Sequence, residues 1–144
     1  MAVGKCRAKQ HSLHDYDYAP EVTNIPPRVL CLQVHGDAAI AGQGVNQETL
    51  GFANVPHFRI GGSIHLVINN QIGFTTPQEF GRSTRYATDI AKMIHAPVIH
   101  VNAAYPEVRI PSSYVHDYIL NNCEASHHTN CSLFRFRRSQ RPHS

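Results

Sequence analysis

A parallel α/β sheet is the fold class this sequence predicts, and three observations predict it. Two short apolar runs, Val29-Leu30-Cys31-Leu32-Gln33-Val34 and Ile64-His65-Leu66-Val67-Ile68, have the length and composition of buried strands. Each run ends in a polar tip, His35-Gly36-Asp37-Ala38-Ala39 after the first and Asn69-Asn70 after the second. Asp37 and Asn70 are 33 positions apart, which is room for a strand, a helix and a second strand, one crossover unit of a parallel sheet. Such a unit brings both tips to the same sheet edge, where parallel α/β sheets bind ligands. A carboxylate and an amide oxygen suit a hard cation, and a hard cation suits a diphosphate.

The elements follow in order. Residues 1–27 are polar and punctuated by Pro20, Pro26 and Pro27, and are expected to form an extended arm with little structure of its own. Residues 28–34 are the first strand, whose near-continuous apolarity predicts cover on both faces. Residues 35–42 are a Gly/Ala-rich turn. Residues 43–54 are predicted as a helix with Val45, Leu50, Ala53 and Phe52 on its inner side, ended by Pro56 and Gly61-Gly62. The second strand is 63–69. Residues 70–86, with Gly73, Thr75-Thr76, Pro77 and Gly81, form a long irregular loop of the kind that carries function. Residues 87–95 are a short helix, capped near Thr88, with Ile90, Met93 and Ile94 on its apolar face. Residues 97–102 are a third strand. The order is βαβαβ, with right-handed crossovers.

Size and charge bound the function classes. At 144 residues, 42% of them hydrophobic, the chain has material for one core and one domain. No apolar run approaches the length of a membrane span, so a soluble protein is expected. The net charge of +3 is a tail effect: Arg135, Arg137, Arg138 and Arg141 lie in the last ten residues. Residues 1–134 carry 9 Lys/Arg against 10 Asp/Glu, so the folded part is near neutral and nucleic acid is not an expected partner. Cys6, Cys31, Cys123 and Cys131 are too scattered for a disulfide framework, and Cys31 reads as a small buried hydrophobe in a reducing compartment. The Cys123, His127, His128, Cys131 group matches no standard zinc spacing. Lys5, Arg7 and Lys9 have the charge of a transit peptide, but no amphipathic repeat accompanies them and Asp15 and Asp17 follow at once.

Taken singly, the site residues have plain readings too. An Asp after a strand is commonly a helix cap or an Asx turn, and Asn-Asn is commonly a turn. His35 stands where an imidazole could donate to a phosphate, or serve structure alone. His65 and His100 read as core or edge histidines. Arg82, like Gln43 and Glu48, reads more simply as a solvated or capping residue than as a contact to substrate or subunit.

The blocks HGDAAIAGQG (35–44), NNQIGFTT (69–76), Arg82-Ser83 and His100-Val101-Asn102 decide between these readings. With them the chain resembles the thiamine-diphosphate-dependent E1 component of the 2-oxoglutarate dehydrogenase family. PHFRIGG (56–62) and the stretch from Thr76-Pro77 to Gly81-Arg82-Ser83 look more like its 2-oxoadipate branch. The resemblance covers about residues 2–108. It makes 28–108 a partial diphosphate- and Mg2+-binding α/β domain, Met1 a start inside a longer ancestral frame, and 109–144 a divergent basic tail, expected to be disordered. A truncated, frame-shifted or alternatively spliced end would account for that tail.

What the resemblance implies is specific. Asp37, Asn70 and the main-chain carbonyl of Ile72 would hold Mg2+. Gly36, Asp37, Ala38, Asn70 and Ile72 would line the thiamine diphosphate, with Gly36 allowing a sharp turn beside the phosphates. The reaction would be oxidative decarboxylation of 2-oxoadipate or 2-oxoglutarate with acyl transfer to lipoyl-bearing E2. A homodimer partner and a mitochondrial matrix location are implied as well. The family's pyrimidine-side glutamate and substrate-handling histidines have no counterpart in this chain. A fragment that is inactive alone is therefore expected, or a truncated non-catalytic product that associates with full-length E1.

Overall fold

The computed structural model describes residues 1–15, 28–53, 55, 57–102 and the backbone strand 131–137. Along the chain come helix α1 (Ala2–Ser12), strand β1 (Cys31–Gly36), helices α2 (Asp37–Gly42) and α3 (Gly44–Gly51), and strand β2 (Ser63–Asn69). A two-stranded ribbon follows, β3 (Ile72–Gly73) with β4 (Thr76–Pro77), then the single turn α4 (Gln78–Gly81). A 3-10 helix (Ala87–Ile94), β5 (Val98–Asn102) and β6 (Cys131–Arg137) complete the order. The main sheet has four strands in the order β1-β2-β6-β5, every neighbouring pair parallel. The α/β class and the parallel sheet predicted from the apolar runs are therefore present.

Register follows from the side-chain period of two. Gln33 lies opposite His65, His35 opposite Val67 and Gly36 opposite Ile68. His65, Val67 and Asn69 are buried on the face that the helices cover. There Ile40 of α2 packs with Val67, Ala87 and Ala91, joined at the edges by Ile90, Ala96 and Val98. A second cluster joins Cys6 of α1 to Cys31 and Ile60. The opposite face of β1 carries Leu32 and Val34, each about 60% exposed like Leu30 just before the strand, with Ile68 of β2 beside them at 52%. Cover on both faces was the expectation for β1. Instead the strand alternates, because the described helices pack on one face only.

Four more expectations change. Residues 2–12 form a helix rather than an extended arm. Gln10, fully buried, donates from Nε2 to the Ile60 carbonyl at 2.7 Å, and Arg28 binds Asp15 at 2.7 Å, which fastens this helix to the body. The part of the expected arm at 16–27 lies outside the described residues. The tail contributes β6, which lies between β2 and β5, so the third strand of the predicted βαβαβ unit does not neighbour the second. The rest of the tail, with Cys123, His127 and His128, lies outside the described residues. The expected turn at 35–42 is instead mostly helix: α2 begins at Asp37, and Gln43, whose backbone is extended (φ −107°, ψ 111°), separates it from α3. The break leaves the last carbonyls of α2 without helical partners. Side chains of α3 supply them: Asn46 Nδ2 donates to Ala39 (3.0 Å) and Ile40 (3.2 Å), and Gln47 Nε2 donates to Ala41 (3.1 Å). Lastly, the predicted helix at 87–95 is 3-10 throughout. Its start is fixed by Asp89, which accepts the Tyr86 N–H at 3.1 Å, rather than by Thr88, which is buried.

Three positions require glycine, for two different reasons. Gly61 and Gly62 return the chain to β2 with φ of 80° and 114°, where side chains are strained. Gly73 is required by space: a Cβ there would lie 2.7 Å from the Cβ of Ala38. This contact seats the β3–β4 ribbon on the start of α2. Gly73→Ala is expected to cost about 1–3 kcal/mol by overpacking, and adding Ala38→Gly should recover part of it. Urea unfolding of the two singles and the double checks this, and strictly additive losses would mean the two positions do not touch.

Candidate functional site at the carboxyl end of β1 and β2

The parallel pairing of β1 with β2 ends at Gly36 and Ile68, so Asp37 and the Asn69-Asn70 pair leave the sheet at the same end of neighbouring strands. Asp37 is the first residue of α2 and is 1% exposed. A carboxylate so buried needs a charged or hydrogen-bonding partner. Arg82, which follows α4, provides it: Arg82 Nη1 donates to Asp37 Oδ2 at 2.9 Å, and Arg82 Nη2 donates to Gln78 Oε1 at 2.9 Å. The Arg82 side chain is itself only 8% exposed. The other oxygen, Asp37 Oδ1, is buried with no hydrogen-bond partner among the described residues. It is the acceptor left over for a further donor or cation.

The asparagines divide their roles. Asn69 is buried; its Oδ1 accepts the Gln71 N–H at 3.1 Å, and its Nδ2 has no partner among the described residues. Asn70 is exposed, and its Oδ1 accepts the Ile72 N–H at 3.3 Å. Both amides thus make Asx turns, as the plain reading of each allows. The turns swing the chain into the β3–β4 ribbon, with Gln71 and Phe74 in the left-handed region (φ 67° and 52°). Ile72 is 46% exposed.

Gly36 and Ala38 bear the remaining expectations. Gly36 is extended (φ −78°, ψ 157°), and a Cβ there would meet open space, so the sharp turn expected of it does not occur. Ala38 is the residue against which Gly73 closes. Two residues of this neighbourhood are therefore set by tertiary contacts rather than by the strand-end pattern: Arg82 and Gly73. Arg82 had a sequence signal in the Arg82-Ser83 block, and no other Lys or Arg lies between Arg59 and Arg85. Arg82 is not a solvated residue, because its guanidinium neutralises Asp37.

The histidines form a separate arrangement. His35 Nε2 and His65 Nδ1 are 2.9 Å apart, and the rings are nearly coplanar (12°) with centroids separated by 5.1 Å. A nitrogen–nitrogen distance that short between near-parallel rings means they meet edge to edge, in an N–H···N hydrogen bond. His65 Nε2 is in turn 2.9 Å from Ser63 Oγ. Burial, and then the neighbouring His35, push the His65 imidazole down to about 4; burial lowers His35 as well. Both rings are therefore neutral at pH 7, and His35 Nε2 is committed to His65 rather than to an anion. A cavity of about 140 Å³ lined by Gln33, Leu50, Phe52, Phe58, Ile60 and His65 contains none of the strand-end residues. Among the described residues, no group of three or more His, Cys, Asp or Glu is placed to hold a metal, and no helix is long and apolar enough to cross a membrane.

Fold and strand-end geometry define a parallel α/β protein with a buried acid and an amide pair at the carboxyl end of neighbouring strands of its sheet. Residues 10–110 match the sequence profile of the Dehydrogenase E1 component family, well over half of the 144 residues, and the chain belongs to that family. The family is thiamine diphosphate dependent. The 2-oxoadipate dehydrogenase complex component E1 of Xenopus laevis is 56% identical over 108 residues, and that of Homo sapiens 55% identical over 108 residues. A probable homologue of the same component in Caenorhabditis elegans is 48% identical over 109 residues. Each alignment covers 74% of this chain and 12% of the relative, so the chain spans about an eighth of the length of these proteins.

Proposed function

We propose that residues 28–108 carry the diphosphate- and cation-binding half-site of a 2-oxo acid dehydrogenase E1. The observation that carries this is Asp37: a buried carboxylate at a parallel strand end, one oxygen paired and the other unpartnered among the described residues. The donor set is all oxygen, which fits Mg2+. Asp37 would supply the charged oxygen, Asn70 an amide oxygen and Ile72 its carbonyl. Gly36, Asp37, Ala38, Asn70 and Ile72 would line the thiamine diphosphate. The exposed amide of Asn70 can exchange its turn bond to Ile72 for a cation, since that bond is long.

When bound, thiamine diphosphate supplies the carbon nucleophile and the electron sink for decarboxylation. The residues of this chain would hold and orient the diphosphate end. Arg82 fixes the Asp37 carboxylate, and the Gly73–Ala38 contact fixes the ribbon that follows Asn70. The substrate class is 2-oxoadipate or 2-oxoglutarate, the acceptor is a lipoyl group on E2, and the partner is a second E1 protomer, in the mitochondrial matrix. By itself the 144-residue chain retains a half-site and does not turn over. Orientation of both ends of the cofactor and a dry environment act mainly on the transition state, and a half-site provides neither.

The test is calorimetric titration of thiamine diphosphate into the chain and into Asp37→Ala, with and without Mg2+, beside a decarboxylation assay with both 2-oxo acids. Weak binding that needs both Mg2+ and Asp37, without turnover, is expected. Binding indifferent to Mg2+ and to Asp37 refutes the half-site, and robust turnover refutes the fragment reading.

A second reading is that the chain is a non-catalytic product that associates with full-length E1. The bare apolar face of β1 favours it, because parallel sheets are ordinarily covered on both faces. Co-purification with full-length E1, lost on Leu32→Lys with Val34→Lys, would support that reading.

A further inference from the structure

We infer that Arg82 makes cation binding at Asp37 conditional on the diphosphate, so that the two are taken up together and a bare divalent ion is refused. This rests on the half-site reading and concerns what Arg82 adds to it.

The charge count at the strand end carries the inference. Asp37 is the carboxylate of the site, and its Oδ2 is 2.9 Å from the Arg82 guanidinium, with both side chains at least nine-tenths buried. The pair is neutral before any ion arrives. No cluster of further acids stands by among the described residues. A divalent ion approaching Asp37 Oδ1 therefore meets one negative charge that is already paired, and a positive charge on the other side of the same carboxylate. It must also shed water, which Mg2+ does reluctantly. In so buried a place the repulsion is little screened.

A diphosphate reverses the balance. It brings negative charge to the open side of Asp37 Oδ1, enough to offset both the incoming ion and the guanidinium. The guanidinium cannot give up its proton to make room, and its second donor is held by Gln78, so it stays in place as a fixed charge. Asp37 Oδ2 is thereby reserved for Arg82, and only Oδ1 is offered to the cation. Arg82 is a positioning residue in this sense: it acts through Asp37 and need not touch either ligand.

The experiment measures protein-bound Mn2+ for the full chain by equilibrium dialysis at matched free Mn2+, with and without inorganic diphosphate on both sides of the membrane, so that the Mn2+–diphosphate complex in solution is not counted as uptake. Diphosphate should tighten Mn2+ binding at least about tenfold, and by reciprocity Mn2+ should tighten diphosphate by the same factor. Arg82→Gln keeps an amide donor for Asp37 Oδ2 but removes the charge. It should raise affinity for Mn2+ alone about tenfold and shrink the coupling by the same factor. Arg82→Lys keeps the charge and should leave the affinity for Mn2+ alone at the wild-type level. Asp37→Asn should abolish uptake under both conditions. Unaltered coupling in folded Arg82→Gln, with uptake still dependent on Asp37, overturns the role of Arg82 and leaves the half-site standing. Tight uptake of Mn2+ by the wild-type chain without diphosphate overturns it too, whether or not Arg82→Gln folds. Uptake that ignores Asp37, or none with diphosphate present, overturns the half-site as well.

Discussion

Arg82→Ala is expected to lose about 3–5 kcal/mol of unfolding free energy, the cost of stranding one member of a buried ion pair. The pair is unusually well enclosed, with side chains 8% and 2% exposed and a nitrogen–oxygen distance of 2.9 Å. Removing the guanidinium leaves Asp37 with both oxygens unpartnered and frees Gln78, so α4 loses its tie to α2. Total stabilities of single domains are of the order of 5–15 kcal/mol, so this one change consumes a large share. The double change Asp37→Leu with Arg82→Leu should recover most of the loss, because two packed apolar groups avoid the desolvation that a lone charge suffers. Urea unfolding of the singles and the double provides the measurement. A loss below about 1 kcal/mol for Arg82→Ala would mean that water reaches the pair and screens it.

Acid should weaken the fold well before its carboxylates titrate, and His65 should be the cause. Its imidazole is held down to about 4 from an ordinary 6.5, first by burial and then by the adjacent His35. A histidine depressed in the folded state binds a proton more readily when unfolded. Its contribution is therefore complete above the unfolded value and is lost as pH falls from 6.5 towards 4. The slope is about 1.4 kcal/mol per pH unit, and the loss reaches about 3 kcal/mol at the lower end of that window. His35, also lowered by burial, adds to the effect in the same direction. Asp15 and Asp89 are held below their ordinary 3.8 by Arg28 and by Lys92 and the Tyr86 N–H, so their contributions are lost only at lower pH. Stability measured in urea at intervals from pH 7 to pH 4 should show the slope in wild type and a much flatter line in His65→Gln. Equal slopes in the two proteins would assign the acid sensitivity elsewhere.

Local sequence determined those parts of this protein that depend on short-range chemistry. Two apolar runs of strand length determined β1 and β2, and Gly61-Gly62, with their left-handed backbone, determined the return between them. The strand-end polar tips determined that Asp37 and Asn69-Asn70 would share one end of a parallel sheet, since a crossover of that length has little alternative. Matches to the blocks around those tips determined the family.

Tertiary structure decided what depends on residues distant in sequence. Arg82 is 45 positions from Asp37, and nothing local to either predicts that one neutralises the other. Gly73 is required by a Cβ of Ala38 that only the folded ribbon brings near, whereas Gly36, the glycine the motif singles out, has open space where a side chain would be. The first twelve residues read as a polar arm because their helix is held by a buried glutamine reaching the Ile60 carbonyl, not by an apolar stripe that periodicity could reveal. Strand β6 was illegible for the same kind of reason: its place between β2 and β5 is a matter of backbone pairing, which any chain can offer and sequence pattern only weakly specifies. The apolar runs reported that strands exist, because burial is a property of each residue. They could not report which face stays bare or which charge meets Asp37, because those are properties of pairs.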